Sequence, residues 1–176
     1  MGFIDTVTNL LKGNPSHIDT KWEPGYLVAP LTGKTLALRD AGEPVFASEV
    51  MGKGVAIKPE GDVIYSPADG VVTMLMGDTL HAVGITTEDG IEVLIHIGID
   101  TVEMGGKGYR AFTKQGKKVT AGSPLIGFDR KVIKQAGYVD TIFLIITNTD
   151  AFSSVSPISS YNKYITAGEP ILQLIK

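Results

Sequence analysis

Glycine and proline punctuate this chain at short, regular intervals, and that spacing restricts its fold more than any other feature. There are 21 glycines and 9 prolines in 176 residues, a glycine share well above the ~7% usual in proteins. Between them lie runs of five to seven residues or fewer, rich in β-branched side chains: 36–38, 55–57, 63–65, 70–76, 82–86, 91–97, 124–128, 141–147 and 170–175. Short runs bounded by turn residues read as strands. No long 3.6-residue periodicity separates them, so crossover helices and a parallel sheet have little support. The spacing predicts an all-β protein, an antiparallel β-sandwich or partly closed barrel with short helical segments at 47–51 and 130–136.

Two internal repeats support a compact pseudo-symmetric sandwich. Leu27-Val-Ala-Pro-Leu-Thr-Gly33 parallels Ile64-Tyr-Ser-Pro-Ala-Asp-Gly70, and Lys118-Val-Thr-Ala-Gly-Ser-Pro124 parallels Tyr164-Ile-Thr-Ala-Gly-Glu-Pro170. Each copy keeps its spacing and places a glycine turn before a strand. Residues 1–24 differ from the rest. Phe3, Ile4, Val7, Leu10 and Leu11 form one apolar stripe ended by Gly13-Asn14-Pro15, the pattern of a short amphipathic leader followed by a flexible polar linker. The domain proper is then 25–176. Asp5 and Lys12 are the only charges on the leader, so peripheral membrane contact through residues 3–12 would be weak. Met1-Gly2 with Thr6 also fits a myristoylation pattern, a short match easily met by chance.

Composition excludes several chemistries. Sixteen basic residues against nineteen acidic ones give a net charge of −3 with no basic cluster, so nucleic acid is not an expected partner. Cysteine is absent, which removes disulfides, thiolate metal sites and thiol nucleophiles. No apolar run reaches the ~18 residues of a membrane span, and the expectation is a soluble, cytoplasmic protein.

Three histidines remain: His17, His81 and His96. His81 and His96 lie in adjacent strand-like runs joined at Thr87-Glu-Asp-Gly90. A two-residue Asp89-Gly90 turn would set Val83 opposite His96, and a Glu88-Asp89 turn would set His81 opposite His96. Either register puts both imidazoles on one face, whereas a three-residue loop would separate them to opposite faces. Thr79 shares His81's side of the run, and Gly98 shares that of His96. Two neutral imidazoles can hold a metal, divide acid and base roles, or accept a phosphoryl group on one ring while the other steadies it. A metal would need further ligands, for which Glu92 and Asp100 are the local carboxylates. Two ordinary half-buried strand histidines fit the pattern equally well.

At these residues the chain resembles the glucose-type enzyme IIA of the bacterial phosphoenolpyruvate-dependent sugar phosphotransferase system. The resemblance runs through Ala29-Pro30-Leu-Thr-Gly33, Val45-Phe-Ala47, Gly52-Lys-Gly54-Val-Ala-Ile-Lys-Pro59, Pro67-Ala-Asp-Gly70, Thr79-Leu-His81, Val93-Leu-Ile-His96-Ile-Gly-Ile-Asp-Thr-Val102, Gly116-Lys-Lys-Val119, Phe128-Asp129 and Ile146-Thr-Asn148. It implies an antiparallel sandwich that carries a phosphoryl group on His96 Nε2. His81 would assist, Thr79 would orient His81, and the Gly98 carbonyl would fix the His96 tautomer. A pKa near the ordinary histidine value would leave His96 neutral. The implied donor is the histidine-containing phosphocarrier protein, and the acceptor is the IIB domain of a sugar permease. Phe46, Val50, Met51 and Val102 match the rim of their docking surface, with Asp100 facing a basic donor residue. Gly77 and Gly84 stand where members of the family carry phenylalanine, which implies a flatter surface. No cofactor is expected, and zinc between His81 and His96 would require a ligand from a partner. The main alternative is a regulatory module whose unphosphorylated face docks on metabolic enzymes or permeases. A zinc hydrolase would reveal itself by tightly bound metal, and a biotinyl or lipoyl carrier would need a hairpin-tip lysine that is missing.

Overall fold

The structure is a computed structural model describing residues 13–176; the leader stripe at 3–11 lies outside the described residues. Among the described residues, fourteen strands pair only antiparallel. In chain order they are β1 (Tyr26–Val28), β2 (Gly33–Leu36), β3 (Lys53–Pro59), β4 (Val63–Tyr65), β5 (Gly70–Leu75), β6 (Ala82–Thr87), β7 (Glu92–Ile99), β8 (Tyr109–Ala111), β9 (Lys118–Val119), β10 (Pro124–Phe128), β11 (Val139–Ile146), β12 (Ser154–Pro157), β13 (Tyr164–Ile165) and β14 (Pro170–Ile175). Eight of them form one sheet in the order β13-β2-β3-β11-β7-β6-β5-β9, and two three-stranded sheets, β1-β14-β12 and β4-β10-β8, complete the fold. The expected all-β antiparallel architecture is what the chain adopts.

The sequence repeats correspond to equivalent structural units. β1 pairs with β14 and β2 with β13, just as β4 pairs with β10 and β5 with β9. The corner hydrogen bonds repeat too. Gly168 N–H donates to Ala29 O (3.0 Å) and Ala29 N–H to Glu169 O (2.7 Å), while Gly122 N–H donates to Ser66 O (2.9 Å) and Ser66 N–H to Ser123 O (2.8 Å). Residues 17–22 cross both corners. Ile18 N–H donates to Gly122 O (3.1 Å) and Lys21 N–H to Gly168 O (3.0 Å), and Trp22 packs on the main core. Within the stretch expected as a flexible polar linker, residues 17–22 are therefore strapped to the body. Gly122 and Gly168 have φ of +92° and +89°, and a Cβ on either would run into the strap backbone, so only glycine fits both demands.

The centre of the large sheet is covered on both faces. Val93, Ile95 and Ile97 of β7 and Ile142, Leu144 and Ile146 of β11 point into the main core between the sheets. The alternate residues Phe143 and Ile145 join Leu36, Leu38, Ala41, Phe46 and Ala56 in a second, smaller core on the outer face, with Leu94 against it. Burial on both faces explains why β11 reads as an unbroken apolar run rather than an alternation. His96 lies on this outer face.

Helix α1 (Pro44–Ala47) supports that outer core. Pro44 begins it, and the Glu43 carboxylate caps it by accepting from Phe46 N–H at 2.8 Å, a favourable N-terminus. It starts three residues ahead of the expected 47–51 segment. Glu43-Pro44 is the start signal, and Glu49 at φ +58° already lies beyond the end. Helix α2 (Arg130–Gln135), capped by Asp129, falls where the sequence places it.

Candidate functional site

The arrangement around His96 begins with the backbone that follows it. Gly98 has φ +87° and Asp100 φ +59°, so the chain turns sharply at the end of β7. That turn brings Gly98 O to 2.8 Å from His96 Nδ1. A carbonyl can only accept, so Nδ1 carries the proton and Nε2 keeps its lone pair. The Ile97–Gly98 peptide is itself pinned, because Thr101 Oγ1 and Tyr109 OH both donate to Ile97 O, at 2.5 and 3.1 Å. A Cβ at residue 98 would overlap Thr101 Cγ2 and come 2.9 Å from Val139 O.

His81 arrives by a route that neither turn register anticipates. The β6–β7 connection is a three-residue loop, Glu88–Gly90, and Ala82 stands opposite His96. The Asp-Gly pair fits this loop because Gly90 supplies its left-handed residue at φ +88°, as three-residue hairpins require. Thr87 Oγ1 also holds the loop, donating to Asp89 and accepting from Ile91 N–H. A strand continued strictly to residue 81 would turn the imidazole away from His96. Instead His81 lies one residue before β6 and directly after Leu80, whose φ is +52°, and there strand alternation no longer sets its direction. The rings of His81 and His96 lie 5.0 Å apart between centroids at 81°. Thr79 Oγ1 is 2.7 Å from His81 Nδ1.

The surroundings are apolar. Phe46 meets His96 edge-on, with centroids 5.2 Å apart at 65°, and stacks against Phe143 at 4.6 Å. Phe143 is opposite His96 in the β11–β7 ladder. Burial pushes the His96 pKa down to about 4, aided by His81; the Gly98 carbonyl, Glu43 and Asp100 pull weakly the other way. Burial also lowers His81. His96 is thus further from protonation than the ordinary value expected from sequence, because a charged imidazole here would lose its water without gaining an ion pair.

Val50, Met51 and Val102 form exposed apolar points, 76%, 41% and 43% accessible, and Asp100 is exposed. Phe46 is not among them, since it is 7% accessible and belongs to the second core. Gly77 is exposed with open space around it, but Gly84 is buried beneath Met74. Val45 and Met76 are exposed apolar residues that the sequence reading did not single out. Phe143 was also missed, since the continuous apolar run of β11 hides which face each residue takes. His17 lies away from the pair, its Nε2 3.0 Å from Thr120 Oγ1. Among the described residues no three His, Asp or Glu side chains converge as a metal site, and no helix is long and apolar enough to cross a membrane.

An antiparallel sandwich that presents a tethered histidine beside a second imidazole fits a carrier of the phosphohistidine type. The profile of the phosphoenolpyruvate-dependent sugar phosphotransferase system EIIA 1 family matches residues 25–152. The chain belongs to this family, as its glucose-type relatives also show, and EIIA components are phosphotransferases that relay phosphoryl groups through histidine. It is 43% identical over 129 residues to the glucose-specific EIIA component of Bacillus cereus, covering 73% of this chain and 78% of that one. To the beta-glucoside-specific EIIBCA component of Bacillus subtilis it is 45% identical over 135 residues, 77% of this chain but only 22% of the relative's length. The glucose permease IIA structure from Mycoplasma capricolum superposes with a TM-score of 0.73 at 28% identity, covering 84% of this chain and 93% of that chain.

Proposed function

We propose that His96 Nε2 accepts a phosphoryl group from the phosphohistidine of a histidine-containing phosphocarrier protein and passes it to the IIB domain of a sugar permease. The Gly98 carbonyl at Nδ1 is the observation that carries this reading, because it leaves Nε2 as the nucleophile. As the new N–P bond forms at Nε2, the P–N bond to the donor breaks and the donor imidazole leaves. On onward transfer the Nε2–P bond breaks and the phosphoryl group moves to the acceptor side chain. Such transfers depend on positioning and charge stabilisation rather than on further covalent groups. His81 donates from Nε2 to the phosphoryl oxygens, with the Thr79 hydroxyl donating to His81 Nδ1 to hold that tautomer.

Val50, Met51 and Val102 form the docking rim, and Asp100 meets a basic residue of the donor. No cofactor enters the reaction, and zinc would bind His81 and His96 only with a ligand from a partner. The setting is the cytoplasm. The same exposed apolar points favour a second reading, docking of the unphosphorylated face on regulatory targets, since the added double negative charge would expel an apolar partner. Labelling with phosphoenolpyruvate, enzyme I and the phosphocarrier protein tests the main reading. One acid-labile phosphate per chain is expected, absent in His96→Ala, and an unchanged label in that variant would overturn it.

A further inference from the structure

We infer that Phe46 is a positioning residue for the His96 imidazole rather than a contact for the docking partner; the inference rests on His96 being the phosphoryl-bearing residue. At 7% accessibility Phe46 has almost no surface to offer another protein. Its ring is instead wedged, one side against Phe143 at 4.6 Å and 33° and its edge relation toward His96 at 5.2 Å and 65°.

The need for such a wedge follows from the other restraints. The hydrogen bond to Gly98 O fixes Nδ1, but a single bond at one ring corner still allows the plane to rock and Nε2 to sweep an arc. His81 limits that motion on one side, with the rings crossed at 81°. Phe143 contributes a more distant contact at 6.3 Å. Phe46 supplies the remaining close aromatic contact. Crossed aromatic rings prefer this edge-on geometry and resist rotation out of it.

Phe46 is itself held by its backbone. The N–H of Phe46 is the group capped by Glu43, and Pro44 presets the dihedral of the first helical residue. A four-residue helix has little stability of its own, so cap, proline and second core act together to fix this one ring. An aliphatic side chain of similar volume would fill the space without offering a rigid plane.

Two measurements on the full chain test the inference. Steady-state transfer from the phosphorylated carrier separates positioning from docking: in Phe46→Leu kcat should fall about tenfold with KM within twofold of wild type, and Phe46→Tyr, which keeps the ring, should recover most of the loss. Nitrogen-15 relaxation of the His96 ring at neutral pH should show a rigid ring in wild type and Phe46→Tyr and added ring motion in Phe46→Leu, with the Gly98 carbonyl keeping the proton on Nδ1 in all three. A raised KM with unchanged kcat and unchanged ring relaxation would overturn the inference and return Phe46 to the docking surface. Should Phe46→Leu fail to fold, Phe46→Met is read by the same two criteria. If wild type takes no phosphate on His96, the parent reading fails, while the NMR comparison still decides whether Phe46 orders the ring.

Discussion

The His81 and His96 rings cross at 81° with centroids 5.0 Å apart, although Ala82 is the residue paired with His96. The pair is therefore made by the kink at Leu80 and not by the pleat. His81 lies at the end of a loop and is steered by Thr79, whereas His96 is fixed within β7. This asymmetry suits one imidazole that holds the phosphoryl group and one that follows its oxygens. Removing a single donor aimed at developing charge costs about 10²–10³ in rate. His81→Gln should accept phosphate from the carrier with a modest slowing and lose about a hundredfold in onward transfer, resolved by rapid quench of each half-reaction. Equal losses in both steps would show that His81 has no preference for the second.

Gly98 carries two demands at once, its φ of +87° and the absence of a Cβ near Thr101 and Val139 O. The left-handed conformation costs a non-glycine residue about 1–2 kcal/mol, and crowding in a packed site adds about 1–3 kcal/mol. Gly98→Ala should lose about 2–5 kcal/mol in urea denaturation. Any folded fraction should label poorly, since the carbonyl that orders His96 moves with it. A variant as stable as wild type would mean that Thr101 yields easily.

Acid stability reports the burial of His96. Its folded pKa of about 4 lies below the unfolded value of 6.5, so between those limits the unfolded chain binds the proton more readily and stability falls as pH falls. The loss is fully developed near pH 4 and absent above about 6.5. At 1.36 kcal/mol per pKa unit it amounts to about 2–3 kcal/mol for His96 by pH 4.5, with His81 contributing in the same direction. Urea unfolding at pH 7 and 4.5 should therefore show a smaller drop for His96→Ala than for wild type. Parallel drops would mean that His96 is not held neutral by burial.

Much of this was legible in the chain. Strand runs, glycine turns and repeat spacing are local signals, and β5, β10, β14 and α2 fall close to where they point. The Asp89-Gly90 signal was sound as a turn but ambiguous in length, because Gly90 can serve either as the last residue of a two-residue turn or as the left-handed third residue of a longer one. The histidines met anyway through Leu80, whose positive φ no pattern in a non-glycine residue announces. The resemblance matched Phe46 to the docking rim, and a short apolar segment does not by itself show the second core that buries it.

The strap at 17–22 offers a test of whether the two repeats behave as one cooperative unit. It hydrogen-bonds to Gly122 in one corner and Gly168 in the other, and it ends at Trp22, the single tryptophan. The Trp22 indole packs on the main core and donates from Nε1 to Tyr26 O at 3.0 Å. The Lys21–Glu169 ion pair beside it is well exposed, a setting in which such pairs stabilise by less than about 1 kcal/mol, so the indole, the two backbone bonds and the His17–Thr120 hydrogen bond hold the strap. A strap joined to both corners cannot leave one without disturbing the other. Trp22 emission and far-ultraviolet circular dichroism should then give coincident urea transitions. Gly168→Ala, which sets a Cβ 2.5 Å from Asp19 O at φ +89°, should separate them, with the fluorescence transition moving to lower urea first. Coincident curves in the variant, shifted together, would instead show that the corner itself fails when the strap is pushed away.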